Sequence, residues 1–76
     1  MIFWRPMIWF FERRGKYVRC ETRKTPDGAY ELVVTGEDGA ERIERFDDSS
    51  ALAKRQVEIE HGLASEGWTG PHGRDT

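Results

Sequence analysis

Cysteine is nearly absent from this chain: Cys20 stands alone, so no internal disulfide can form, and no export-signal pattern precedes it. A reducing interior is the compartment this implies, and the cytoplasm is the expected location. Histidine is almost as scarce, with only His61 and His72. A metal site needs three or four converging ligands. Cys20 falls on an expected strand, His61 on a solvated helix face and His72 in a tail, so a buried thiol and two surface histidines are expected, with no metal.

A long apolar run is missing too. The opening from Met1 to Phe11 is broken by Arg5 and Pro6 and closed by Glu12-Arg13-Arg14, short of the ~20 residues of a spanning helix. No membrane anchor is expected. Met7 offers a second start, which would make residues 1–6 an upstream extension. Nor is there excess charge: 12 Lys and Arg face 14 Asp and Glu, a net charge of −2, with no general pull towards a polyanion. No Ser, Thr or Cys sits at a telling spacing from a base. The loop Gly36-Glu37-Asp38-Gly39 puts two acids where a phosphate would have to sit. The sequence predicts neither an enzyme nor a cofactor site.

What the chain does have is core material: three tryptophans, two tyrosines and four phenylalanines in 76 residues, with 37% hydrophobic and 34% charged residues. That is a globular composition for one domain spanning 1–76. A chain this short buries only ~60% of its unfolded surface, so a partner would help. From Met7 to Arg13 a strand is expected whose stretch Ile8 to Phe11 is apolar on both faces. Lys16 to Arg23 alternates, with Val18, Cys20 and Thr22 on one side and Tyr17, Arg19, Glu21 and Arg23 on the other. Thr25-Pro26-Asp27-Gly28 is a hairpin turn. A third strand, Ala29 to Thr35, points Tyr30, Leu32 and Val34 inward and Glu31, Val33 and Thr35 outward. Gly36 to Gly39 turns the chain again into a weaker fourth strand, Ala40 to Arg45, in which Ile43 reads as the core residue between Arg42 and Glu44.

Asp47-Asp48-Ser49-Ser50 is a cluster of N-cap residues after Phe46, a candidate staple. The helix that follows, within 47–67, stacks Leu52, Ile59 and Leu63 on one arc with Ala53, Val57 and Ala64 on its flank. Lys54, Arg55, Glu58, His61 and Ser65 fall opposite, and Gln56 and Glu60 intrude on the apolar arc as rim residues. Gly67 suits the left-handed position after the helix, Trp68 is placed to contact Leu63 or Ala64, and Leu63 should be buried between the sheet and Trp68. Residues 68–76 read as an irregular tail. The expected fold is α+β: a four-stranded antiparallel β-meander over 7–46 with one C-terminal amphipathic α-helix packed on one face, β-β-β-β-α.

That order leaves the other sheet face open, carrying either Trp9 and Phe11 or Ile8 and Phe10, then Tyr17, Arg19, Glu21 and Arg23, then Glu31, Val33 and Thr35, then Arg42 and Glu44. The expected function is a small non-catalytic interaction module, a homodimer formed through the first strand or the open face, or a module that binds another protein. The alternative is a single-stranded DNA- or RNA-binding protein whose aromatics stack on bases while arginines follow phosphates. The residues named for either surface are Trp9, Phe11, Tyr17, Arg19, Arg23 and Arg42. Glu21, Glu31 and Glu44 interleave with those arginines, which suits cross-strand ion pairing better than a polyanion.

The β-β-β-β-α order resembles the repeat unit of the PUR and Whirly single-stranded nucleic-acid-binding families in topology alone, and no residue role carries over. Separately, Trp9-Phe10-Phe11-Glu12-Arg13, the Phe46-Asp47-Asp48 helix entry and Glu66-Gly67-Trp68 are similar to small uncharacterised bacterial proteins of about 70 residues. That resemblance implies no activity.

Overall fold

The computed structural model describes residues 7–73, so the expected upstream extension over residues 1–6 lies outside the described residues. The elements are β1 (Met7–Arg13), β2 (Lys16–Lys24), β3 (Tyr30–Thr35), β4 (Glu41–Phe46), α1 (Ser49–Ser65) and β5 (Thr69–His72). The molecule is α+β, with one antiparallel sheet in the order β4-β3-β2-β1-β5. The meander is as expected, but the sheet has five strands, because residues of the supposed tail return to pair with β1.

Turn chemistry sets the registers. Arg14 and Gly15 both take positive φ, 53° and 77°, which is the two-residue turn whose twist matches a hairpin. The next two hairpins are alike: Gly28 and Gly39 sit at φ 89° and 85°. Their N–H groups donate to Thr25 O at 3.0 Å and Gly36 O at 2.9 Å, while Thr25 and Gly36 donate to Ala29 O at 2.8 Å and Ala40 O at 2.9 Å. Each is a type I turn closed by a glycine bulge.

The Thr25 turn also places Asp27 beside Arg45, which donates to it at 2.6 Å. The Thr25 hydroxyl hydrogen bond first, and the Arg45 contact second, hold the Asp27 carboxyl down at about 2. A carboxyl lowered on folding stabilises above its unfolded pKa of about 3.9, and that contribution disappears as pH falls through the folded value. The urea midpoint of the wild type is therefore expected to drop between about pH 4 and pH 2 by more than that of Asp27→Asn. A variant with the same drop would show that this exposed pair contributes nothing.

The helix begins where the cap residues lie: Asp48 Oδ1 accepts from Ala51 N–H at 2.8 Å. It ends as the glycine signal implies, with Gly67 at φ 89°. Gly67 N–H donates to Ala64 O at 3.1 Å and Trp68 N–H to Leu63 O at 3.0 Å, the paired bonds of a Schellman motif. The helix has no basic residue in its last turn. Arg13 on β1 supplies that cation instead, donating to Glu66 O at 2.7 Å while its guanidinium lies 4.7 Å from the centre of the Trp68 ring.

The core lies between this helix and one sheet face. Trp9, Phe11, Val18, Cys20, Leu32, Leu52 and Trp68 form it, with Met7, Tyr30, Val34, Phe46, Ile59 and Leu63 packed at its margin. Two details of the helix differ from the expectation. Leu63 is half-buried rather than enclosed beneath Trp68, and the expected flank residues Ala53, Val57 and Ala64 are exposed. Gln56 and Glu60 are half-buried, as the arc's rim residues should be, and Arg55, expected on the solvated side, is half-buried with them. Arg55 donates through Nε to Glu44 Oε1 at 3.0 Å, so the helix is rolled towards its Arg55 flank.

β5 can lie against β1 because Gly70 has no side chain. A Cβ there would meet Phe11 Cδ2 at 2.6 Å and Phe10 O at 3.0 Å, closer than packed atoms come. Thr69 Oγ1 donates to Glu12 O at 3.0 Å and fixes the start of the strand. Among the described residues, no helix is long and apolar enough to cross a membrane.

Candidate functional site

Strand parity decides which side chains reach the uncovered face. β1 gives Trp9 and Phe11 to the helix side, each 2% exposed. Ile8 and Phe10 therefore face outward. The registers carry this parity across the sheet: Ile8 opposes Glu21, Glu21 opposes Val33 and Val33 opposes Ile43, while Phe10 opposes Arg19 and Arg19 opposes Thr35.

Of the six residues named from the sequence, the structure brings Tyr17, Arg19 and Arg23 together on the open face. Trp9 and Phe11 are core residues. Arg42 lies on the helix side of β4, because it shares parity with Phe46, whose ring packs at the core margin. The same parity reverses two further expectations: Ile43 is exposed on the open face, and Glu44 sits on the helix side with Arg55. β1 is an interior strand between β2 and β5, so its backbone offers no edge through which a dimer could form.

Sequence reasoning missed Ile43 and His72 as open-face residues and left Ile8 and Phe10 as one of two options. Of the five large apolar side chains exposed among the described residues, Ile8 (43%), Phe10 (36%), Tyr17 (56%) and Ile43 (57%) belong to this face, and the fifth, Val57, lies on the helix. Phe10 meets Tyr17 edge to face, with ring centres 5.7 Å apart and planes at 67°, and its other side meets His72 at 5.3 Å. Ile8, Phe10, Tyr17 and Arg19 line a shallow hollow of about 330 Å³. Val33, in the same row between Glu21 and Ile43, is buried.

Charges on this face stand beside charges of opposite sign. Glu21 stands between Arg19 and Arg23 and approaches each to 3.7 Å, while Arg45 holds Asp27. Arg19 and Arg23, the open-face arginines named for following a phosphate backbone, thus already have a carboxylate neighbour. Two other concavities lie away from this face. One of about 490 Å³ is lined by Val18, Val34, Arg42 and Leu63 beside the β3–β4 turn. The other, of about 420 Å³, surrounds the Arg13 contact at the helix end. Among the described residues no group of three or more His, Cys, Asp or Glu could hold a metal ion. Compared with family models, curated proteins and solved structures, the chain matches none of them.

Proposed function

We propose that this protein is a small non-catalytic interaction module that associates with a second copy of itself through the open sheet face. The observation that carries this is the concentration of exposed apolar side chains there: Ile8, Phe10, Tyr17 and Ile43 lie on one face while the other face is covered. Among the described residues no further element lies over them, and an uncovered apolar patch on so small a domain marks a contact surface. A stable interface removes about 800 Å² from each partner, a small fraction of the 5536 Å² that the chain exposes. Charges of both signs around the patch suit a two-fold contact, in which each group meets the other copy's surface.

The nucleic-acid reading is the alternative, and it keeps only Tyr17, Arg19 and Arg23 of its six residues on one surface. Static light scattering of the full chain at tens of micromolar separates the two. The expected mass is at least twice 8.8 kDa, reduced by Ile8→Ser or Tyr17→Ser. Titration with a single-stranded oligonucleotide at low salt is expected to leave tryptophan fluorescence unchanged. A mass of 8.8 kDa at every concentration, together with salt-sensitive quenching, would replace self-association with nucleic-acid binding.

A further inference from the structure

The sheet has two edges, and they differ. β5 is four residues long and contains Pro71, which has no N–H to offer. β4 presents six residues, and its outward backbone groups can be assigned. The bond from Gly36 N–H to Ala40 O marks that pair as hydrogen-bonded. Bonded and non-bonded pairs alternate along an antiparallel ladder. Arg42, Glu44 and Phe46 therefore turn their backbone groups to β3, and Glu41, Ile43 and Arg45 turn theirs outward.

We infer that β4 pairs antiparallel with β4 of a second copy about a two-fold axis at Ile43, joining two five-stranded sheets into one of ten strands. Glu41-Arg42-Ile43-Glu44-Arg45 is complementary to itself when reversed. Pairing about Ile43 sets Glu41 opposite Arg45, Arg42 opposite Glu44 and Ile43 opposite Ile43. Outward residues must meet outward residues, which restricts the alternatives. The neighbouring register centred on Arg42 sets arginine against arginine and Ile43 against Glu41. The one centred on Glu44 sets glutamate against glutamate and Ile43 against Arg45. Like charges directly opposite are destabilising, and opposite charges are favourable.

The ion pairs within the chain fit the same register. Arg45 holds Asp27 at 2.6 Å and Arg55 holds Glu44 at 3.0 Å, whereas Glu41 and Arg42 have no ion pair among the described residues. Each cross-strand contact would thus bring an uncommitted charge to an existing pair. Charged edge strands commonly protect a sheet from foreign strands; this one opposes offset registers and admits its own copy. The open faces of the two sheets become continuous, with Ile43 meeting Ile43 at the junction.

This inference rests on the self-association proposed above but not on the face that carries it, since it uses a backbone edge. The test combines sedimentation with amide hydrogen exchange on the full chain. Glu41→Arg and Arg45→Glu are each expected to raise the dissociation constant about tenfold, and the double variant to restore it. In the associated wild type the outward amides of Glu41, Ile43 and Arg45 should become protected, a change that a face-to-face contact would not produce. An associated wild type whose outward amides exchange freely, and whose mass neither substitution alters, would overturn the edge pairing and leave the face contact standing. A monomeric wild type would overturn both.

Discussion

Trp9→Ala is expected to lower the free energy of unfolding by about 3–5 kcal/mol, the usual result of emptying the space of a buried tryptophan. Domains have only about 5–15 kcal/mol in total, so the variant should unfold at markedly lower urea concentration, as followed by far-ultraviolet circular dichroism. The size of the effect follows from strand parity. Trp9 lies under the helix with Phe11, Cys20 and Leu32, where the surrounding structure can close only part of the cavity. Tyr17→Ala, on the other face and 56% exposed, should cost less than about 1 kcal/mol, because it loses little beyond the edge contact with Phe10. Equal losses for the two would mean that the assigned faces of β1 and β2 are wrong.

The second large effect tests the roll of the helix. Leu52 is the buried residue of α1, and Leu52→Ala should cost about 2–5 kcal/mol. Val57 lies on the arc's flank in the sequence pattern yet is exposed in the structure, so Val57→Ala should change stability by less than about 0.5 kcal/mol. Denaturant melts of the two variants give the comparison. A costly Val57→Ala with a mild Leu52→Ala would restore the orientation that periodicity alone suggests.

Much of the backbone was legible because it depends on local chemistry. Arg14-Gly15, Gly28 and Gly39 fix the hairpins through conformations that glycine favours, and Asp48 and Gly67 fix the helix ends through hydrogen bonds to nearby residues. The sheet faces were less legible because side-chain parity is a tertiary matter. Ile8 to Phe11 is apolar throughout, so no alternation identifies its inner side. In β4 the lone aliphatic Ile43 suggests an inward position, but Phe46 has the opposite parity and its aromatic ring takes the covered side. Arg55 compensates for Glu44 on that side from another element, a partnership that no spacing along the chain reveals. β5 was hidden because Gly70 and Pro71 read as breakers. Pro71 is tolerated on an edge, where its missing N–H leaves no ladder bond unmade. Gly70 is required by the approach of Phe11, which only the folded structure shows.

The candidate site followed the same division. Tyr17, Arg19 and Arg23 come from a strand with clean alternation and were assigned to the correct face, whereas Trp9, Phe11 and Arg42 come from the two strands whose pattern is ambiguous. The central claim, that the outward face is a contact surface between copies, is tested most directly by following backbone amide resonances through a dilution series of the wild-type chain. The account predicts concentration-dependent shifts at Ile8, Phe10 and Tyr17, and none at Lys54 and His61 on the exposed side of the helix. Resonances of Ile8, Phe10 and Tyr17 that stay fixed from micromolar to millimolar concentration would contradict it.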